Sequence, residues 1–200
     1  MGLKLDLSRP SRTVVLGRSG LGKSFLVKDT INKELKSQNI IVFDTLYEYD
    51  ETLSGINRTV WNLEGLKEAI NESAEKKTLL KISVRPTDRL KEEVFNEVAF
   101  YVEKTENVFF IIEEVDYFCS AHYTPDSFNH LIQYGRHKNI SLIGVSRRFA
   151  DISRKFTAQM SHIATFRQVE PIDVKLLKSY GWTEAELRGL PDFRYLEKDV

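Results

Sequence analysis

Three glycines, a lysine and a serine stand in the spacing G-x-x-x-x-G-K-S across Gly17-Arg18-Ser19-Gly20-Leu21-Gly22-Lys23-Ser24. Each residue type has a chemical use there. Glycines let the backbone curl so that successive N–H groups converge on an anion. A lysine brings a mobile cation to the outer phosphates of a nucleotide, and a serine hydroxyl is a hard oxygen ligand for Mg²⁺. The apolar run Thr13-Val14-Val15-Leu16 before the glycines reads as a buried strand. Phe25 to Leu35 reads as a helix, whose start adds unpaired N–H groups and the positive end of its dipole. The pattern predicts a nucleoside triphosphate site built from residues 17–25, with Phe25 at its edge, Lys23 on the β/γ-phosphates and Ser24 on Mg²⁺.

A second set of residues could act on what such a site holds. Val108-Phe109-Phe110-Ile111-Ile112 is a continuous apolar run that delivers two acids, Glu113 and Glu114. Two carboxylates at a strand end can divide the work. Glu113 would hold Mg²⁺ through its water shell. Glu114 would orient and polarise the water that attacks the γ-phosphate. The plainer alternative is a buried strand ending in solvated acids. Asp116 reads as a cap on a local turn.

The elements that must position these residues alternate in type. Asn39–Phe43 reads as a strand ending at Asp44, and Asn62 as the cap of a helix near 63–76. Thr78–Val84 reads as a strand stopped by Arg85-Pro86. Asp88 would cap a helix to about Lys104, with Leu90, Val94, Val98 and Val102 four apart. Asn107–Ile112, Asn139–Val145 and Ser161–Phe166 read as further strands, and 125–137 and 150–158 as helices. Residues 1–12 look like a polar leading arm. Short helices and a tail are expected over 171–200. Strands alternating with helices argue for a mainly parallel sheet flanked by helices, in one domain spanning 1–200.

Composition narrows the function classes. An apolar share of 42% over 200 residues supports a real core. The single cysteine, Cys119, excludes an internal disulfide and a cysteine-built zinc site. The four histidines show no metal-ligand spacing, and Trp61 and Trp182 read as packing anchors. The opening residues lack the charged-then-apolar pattern of a signal peptide, and no apolar run approaches the ~18 residues that cross a bilayer. A soluble intracellular protein without membrane insertion is therefore expected. Zero formal net charge argues against coating nucleic acid by bulk attraction but allows a local basic strip.

Over roughly residues 13–170 the chain resembles the HerA/FtsK superfamily of DNA-pumping ATPases, which includes packaging ATPases of double-stranded DNA viruses. The phosphate loop carries part of the resemblance. Phe43-Asp44-Thr45-Leu46-Tyr47-Glu48-Tyr49 is similar to the family's Asp-x-x-x-Glu-Tyr segment. Ile111-Ile112-Glu113-Glu114 is similar to its Walker B ending. Tyr134-Gly135-Arg136-His137-Lys138 followed by Asn139–Ser146 and Arg147-Arg148 is similar to its Arg-rich turn, apolar strand and polar sensor. The chain departs from the pattern at Glu113, where the family has Asp, at Arg147, where it has Gln, and at Phe149, where it has Pro. The 200 residues hold no segment that reads as a β-barrel, anchor or winged-helix module, so a bare core closer in size to the viral packaging enzymes is expected.

The resemblance implies a RecA/ASCE-like P-loop NTPase fold and a Mg²⁺-dependent ATPase. It also implies a homo-oligomeric ring, duplex DNA as partner, a capsid or portal-type component, and a place in the host cytoplasm or virion. Arg136 would be an arginine finger acting in trans, or a solvated helix-end cation. Arg147 would face the γ-phosphate or line the sheet edge. Glu48 would position water or make a structural hydrogen bond. Arg148, Arg154 and Lys155 would contact DNA phosphates or form a solvated basic face. The expected function is an ATP-driven DNA translocase core of the viral genome-packaging kind. A secretion or filamentous-phage assembly ATPase and a small-molecule kinase are the alternatives.

Overall fold

A computed structural model of the chain describes residues 2–50, 54–87 and 92–200. The elements run β1 (Arg12–Leu16), α1 (Lys23–Lys33), β2 (Asn39–Phe43), β3 (Arg58–Val60), α2 (Leu63–Lys76), β4 (Lys81–Val84), α3 (Glu92–Thr105) and β5 (Val108–Ile112). They continue with α4 (Val115–Phe118), α5 (Asp126–Tyr134), a 3-10 turn (Gly135–Lys138), β6 (Ile140–Ser146), α6 (Arg154–Thr157), β7 (His162–Phe166), α7 (Pro171–Lys178), α8 (Glu184–Gly189) and β8 (Tyr195–Asp199). One sheet of eight strands forms in the order β3-β4-β2-β5-β6-β1-β7-β8. Every pairing is parallel except β7 with β8.

The sheet is buried on both faces, which is why its central strands are continuously apolar rather than alternating. Successive residues divide between the two faces. Val14, Leu16, Phe110 and Ile112 pack in one core with Phe95 and Val98 of α3 and Phe128 of α5. Val15, Phe109 and Ile111 pack in the other with Leu26, Val27 and Ile31 of α1. Helices on both faces close the layers, as a mainly parallel sheet requires.

Order in the sheet sets the site. β6 lies between β1 and β5, so the residue after β6 must emerge between the phosphate loop that follows β1 and the acids that follow β5. All three strands point the same way, and ligands of such sheets bind at the carboxyl ends.

Several expectations change. Leu3, in the supposed polar arm, is fully buried in the α1 core, and Arg12 opens β1. The tail forms β8, which hydrogen-bonds to β7 from His162 to Phe166. β3 was not foreseen: three residues, two of them polar, give no alternation to read. The Thr78 strand begins only at Lys81, the helix over 125–137 ends in the 3-10 turn, and the helix over 150–158 shrinks to α6. Trp182 is buried but Trp61 is half exposed, edge-on to Tyr47 at 5.5 Å. Asp88 and Leu90, the expected start of α3, lie outside the described residues. Among the described residues no helix is long and apolar enough to cross a membrane.

Candidate active site

The phosphate loop begins where β1 ends. The Gly17 N–H donates to the Ser146 carbonyl at 3.2 Å, stitching the loop to the end of β6. Gly17 and Gly22 have φ of 151° and 101°. A Cβ on Gly17 would stand 2.7 Å from Cβ of Phe166, so space as well as backbone demands glycine there. Gly22 caps α1 without a side-chain hydrogen bond, and the first turn of α1 carries no acid. Its leading N–H groups and dipole are therefore turned to an anion without competition. Leu21 is buried in the core and fastens the loop, while Arg18, Ser19 and Gly20 are exposed. Lys23 Nζ donates to the Arg18 carbonyl at 3.2 Å. Partial burial pushes the Lys23 pKa down, with Glu113 pulling it back. Ser24 is half buried in the first turn of α1.

The acids after β5 have different surroundings. Glu113 is buried and accepts a short hydrogen bond from the Tyr49 hydroxyl. Burial raises its pKa to about 7, with the Tyr49 bond opposing the rise. Tyr49 is held in turn by Asp44, a fully buried carboxylate at the end of β2. Asp44 accepts from the N–H of Glu48 at 2.9 Å and of Tyr49 at 3.1 Å, from Ser83 Oγ at 3.0 Å and from Arg85 Nε at 2.8 Å. Glu114 occupies the left-handed backbone region at φ 52°, a costly conformation that accumulates at working sites. Its Oε1 accepts from Arg147 Nη2 at 2.7 Å and its Oε2 from Thr45 Oγ1 at 3.4 Å.

These residues meet in one cavity of about 340 Å³, lined by Ser19, Gly20, Gly22, Lys23, Ser24, Phe25, Glu48, Glu113, Glu114 and Arg147. The donor set suits Mg²⁺: the Ser24 hydroxyl is a hard oxygen ligand and the Glu113 carboxylate can hold the ion through its water shell, which leaves room for phosphate oxygens. Among the described residues no cluster of three or more His, Cys, Asp or Glu forms a separate metal site. Mg²⁺ on Ser24 and Glu113 would neutralise phosphate charge, while Glu114 faces the same space with a carboxylate that can take a proton from water.

The remaining sequence candidates fall in distinct places. Arg147 lines the cavity as its place after β6 requires, and it is paired with Glu114. Glu48 also lines the cavity; its structural bond to Asp44 is made by the backbone N–H. Arg136 is exposed in the 3-10 turn before β6, at the opposite end of the sheet from the loop. Arg148 is tied to the buried Asp173 at 3.1 Å, whereas Arg154 and Lys155 are exposed together on α6. Asp116 lies in α4, half buried, with its pKa raised by burial. Sequence reading missed Tyr49 as the partner of Glu113 and Arg85 as the partner of Asp44. The Asp-x-x-x-Glu-Tyr spacing was the available signal for the first of these; nothing local marks the second.

Solved structures share this fold. The genome-packaging NTPase B204 of Sulfolobus turreted icosahedral virus 2, in complex with ATPγS, superposes with a TM-score of 0.72 at 18% identity, covering 98% of this chain and 94% of that one. The DNA-packaging ATPase B204 of Sulfolobus turreted icosahedral virus gives 0.68 at 23% identity, covering 96% and 94%. The fold is that of a P-loop NTPase. The N-terminal domain of zonular occludens toxin from Neisseria meningitidis superposes less closely, with a TM-score of 0.56 at 7% identity, covering 96% of this chain and 94% of that one. No protein-family model matches the chain, and no curated protein matches it in sequence.

Proposed function

We propose that this P-loop NTPase is the ATP-hydrolysing core of a DNA translocase of the viral genome-packaging kind, working as a head-to-tail ring. The observation that carries the reading is the single cavity in which Lys23, Ser24, Glu113, Glu114 and Arg147 converge from three neighbouring strands. The likeness to packaging NTPases over nearly the full length of both chains supports it. Lys23 and the loop N–H groups bind the triphosphate. Ser24 and Glu113 hold Mg²⁺. Glu114 directs water at the γ-phosphate, with Glu48 and Arg147 beside it. Arg136 reaches into a neighbouring subunit's site, which a closed heterologous ring allows. Arg154 and Lys155 are the proposed contacts to duplex DNA, with Arg148 nearby but held by Asp173. A capsid or portal-type component would receive the ring in the host cytoplasm or the virion.

Steady-state ATP hydrolysis measured with and without duplex DNA tests the reading. The expected result is Mg²⁺-dependent hydrolysis that DNA accelerates, with the acceleration weakening as salt rises because only a few phosphates are contacted. Hydrolysis indifferent to DNA at low salt would shift the assignment to a secretion or phage-assembly ATPase. Phosphoryl transfer to a small acceptor in place of water would make it a kinase.

A further inference from the structure

A second cavity, of about 500 Å³, opens beside the first and differs from it in chemistry. It is lined by Gly22, Phe25, Leu26, Phe166, Phe193, Arg194 and Tyr195. Gly22 and Phe25 line both cavities. A molecule whose phosphates rest on the loop therefore has this cavity next along its length.

Two aromatic side chains there are not explained by packing. Phe25 and Phe193 are each 71% exposed, the most exposed large apolar side chains among the described residues. Phe193 is also conformationally costly. Pro191 to Arg194 form a turn closed by the Arg194 N–H on the Pro191 carbonyl at 3.2 Å, and Phe193, its third residue, has φ 61°. That turn position takes glycine or asparagine; a bulky residue there is an outlier. The turn is fastened to the end of β7 by the Asp192–Arg167 ion pair at 2.6 Å. The Phe193 ring comes so close to the loop that a Cβ on Gly22 would stand 3.3 Å from its Cδ1. The chain thus keeps a strained backbone to hold an exposed ring over the phosphate loop. Phe166 and Tyr195, with ring centroids 5.6 Å apart, form the wall behind it, and the Tyr195 hydroxyl donates to the Gly2 carbonyl.

We propose that Phe25 and Phe193 form an aromatic clamp for the base of the bound nucleotide, and that the clamp selects a flat heterocycle without selecting adenine over guanine. The proposal rests on the assignment of the loop as a triphosphate site. Stacking reads the π-face, which every base has, and is tolerant of base identity. The cation in the lining, Arg194, is a pure donor, and N7 of adenine and of guanine both accept. Strong discrimination would need donors and acceptors fixed against one base's pairing edge, and the wall residues are otherwise aromatic or aliphatic.

The experiment compares the Mg²⁺ complexes of ATP, GTP and inorganic tripolyphosphate by calorimetric titration against wild type, Phe25→Ala, Phe193→Ala and Phe193→Gly. Wild type should bind ATP and GTP within about tenfold of each other, and both more tightly than tripolyphosphate. Removing either ring should weaken both nucleotides by roughly 5- to 150-fold, the range for a lost base–aromatic stack, and leave tripolyphosphate affinity unchanged. Phe193→Gly fits the backbone it replaces, so it should unfold no earlier than wild type while still losing nucleotide affinity. The clamp is overturned if wild type binds tripolyphosphate as tightly as ATP, or if all three variants bind ATP like wild type; the loop assignment survives both results. A preference for ATP over GTP beyond about a hundredfold overturns the tolerance to base identity. If neither tripolyphosphate nor ATP binds, the loop assignment and the clamp fall together.

Discussion

At the scale of single residues, the cavity separates binding from hydrolysis. Lys23 is the half-buried cation in direct reach of the loop, so Lys23→Ala should lose ATP binding and hydrolysis together; normal ATP affinity in a folded variant would remove the loop from the mechanism. Glu114→Gln keeps shape but not basicity. It should bind ATP and hydrolyse it about 10²–10⁴ more slowly, the usual worth of a positioned base, and full activity would move that role to Glu113, Asp116 or Glu48. Arg147 can be judged by magnitude. Its ion pair with Glu114 has a side chain 64% exposed, and such pairs contribute only about 0.2–1 kcal/mol. Opening the pair therefore limits hydrolysis by no more than about fivefold. If Arg147→Ala changes the rate of ATP hydrolysis within that range, its partner is Glu114 alone; a fall beyond about a hundredfold assigns it a direct contact with the γ-phosphate.

At the scale of elements, the site depends on a relay that starts at the end of β2. Asp44 fixes the turn carrying Glu48 and Tyr49, and Tyr49 fixes Glu113. Asp44 is fully buried and Arg85 nearly so, so losing the acid leaves a buried guanidinium without its partner. Asp44→Ala should cost about 3–5 kcal/mol, as breaking a buried ion pair does, read as a lower midpoint in urea unfolding. A change below about 1 kcal/mol would show that the relay is not a structural support. This relay also marks the limit of what the sequence makes legible. The loop and the paired acids could be read because each is a contiguous motif at the end of an apolar run, and the buried strands β1, β2, β5, β6 and β7 could be read for the same reason. Asp44 with Ser83 and Arg85 could not, because those partners come from a neighbouring strand about forty residues away. β8 was missed for a physical reason too. Its Glu197, Lys198 and Asp199 read as a solvated tail, yet charge is what an edge strand carries to avoid pairing with other chains. Phe193 was equally hidden, since only the backbone reveals that a turn position suited to glycine holds an aromatic ring.

At the scale of the whole molecule, the geometry decides how Arg136 could act. It precedes β6, whereas the phosphate loop lies beside the end of β6. Seven residues of strand, Ile140–Ser146, span about 20 Å, beyond the reach of any side chain. Arg136 therefore has no access to the γ-phosphate of its own subunit. Its turn is nonetheless firmly placed. The buried Arg12 donates from Nη1 to the Ile140 carbonyl at 2.9 Å and from Nη2 to the Leu131 carbonyl at 3.2 Å, gripping both sides of the turn. An exposed guanidinium on a fixed turn is what a neighbour's site would need, since preorganised charge costs no rearrangement when the γ-phosphate becomes more negative. Arginine fingers are worth about 10³–10⁵ in rate. Arg136→Ala should therefore bind ATP normally and hydrolyse it poorly. Glu114→Gln should do the same for a different reason. Mixed in one ring, the two inactive variants create interfaces where an intact Glu114 faces an intact Arg136, so part of the activity should return. Wild-type activity should also rise faster than linearly with protein concentration as rings close. Full activity in Arg136→Ala, or mixed rings that form by light scattering and recover nothing, would leave Arg136 a solvated cation at the end of a helix.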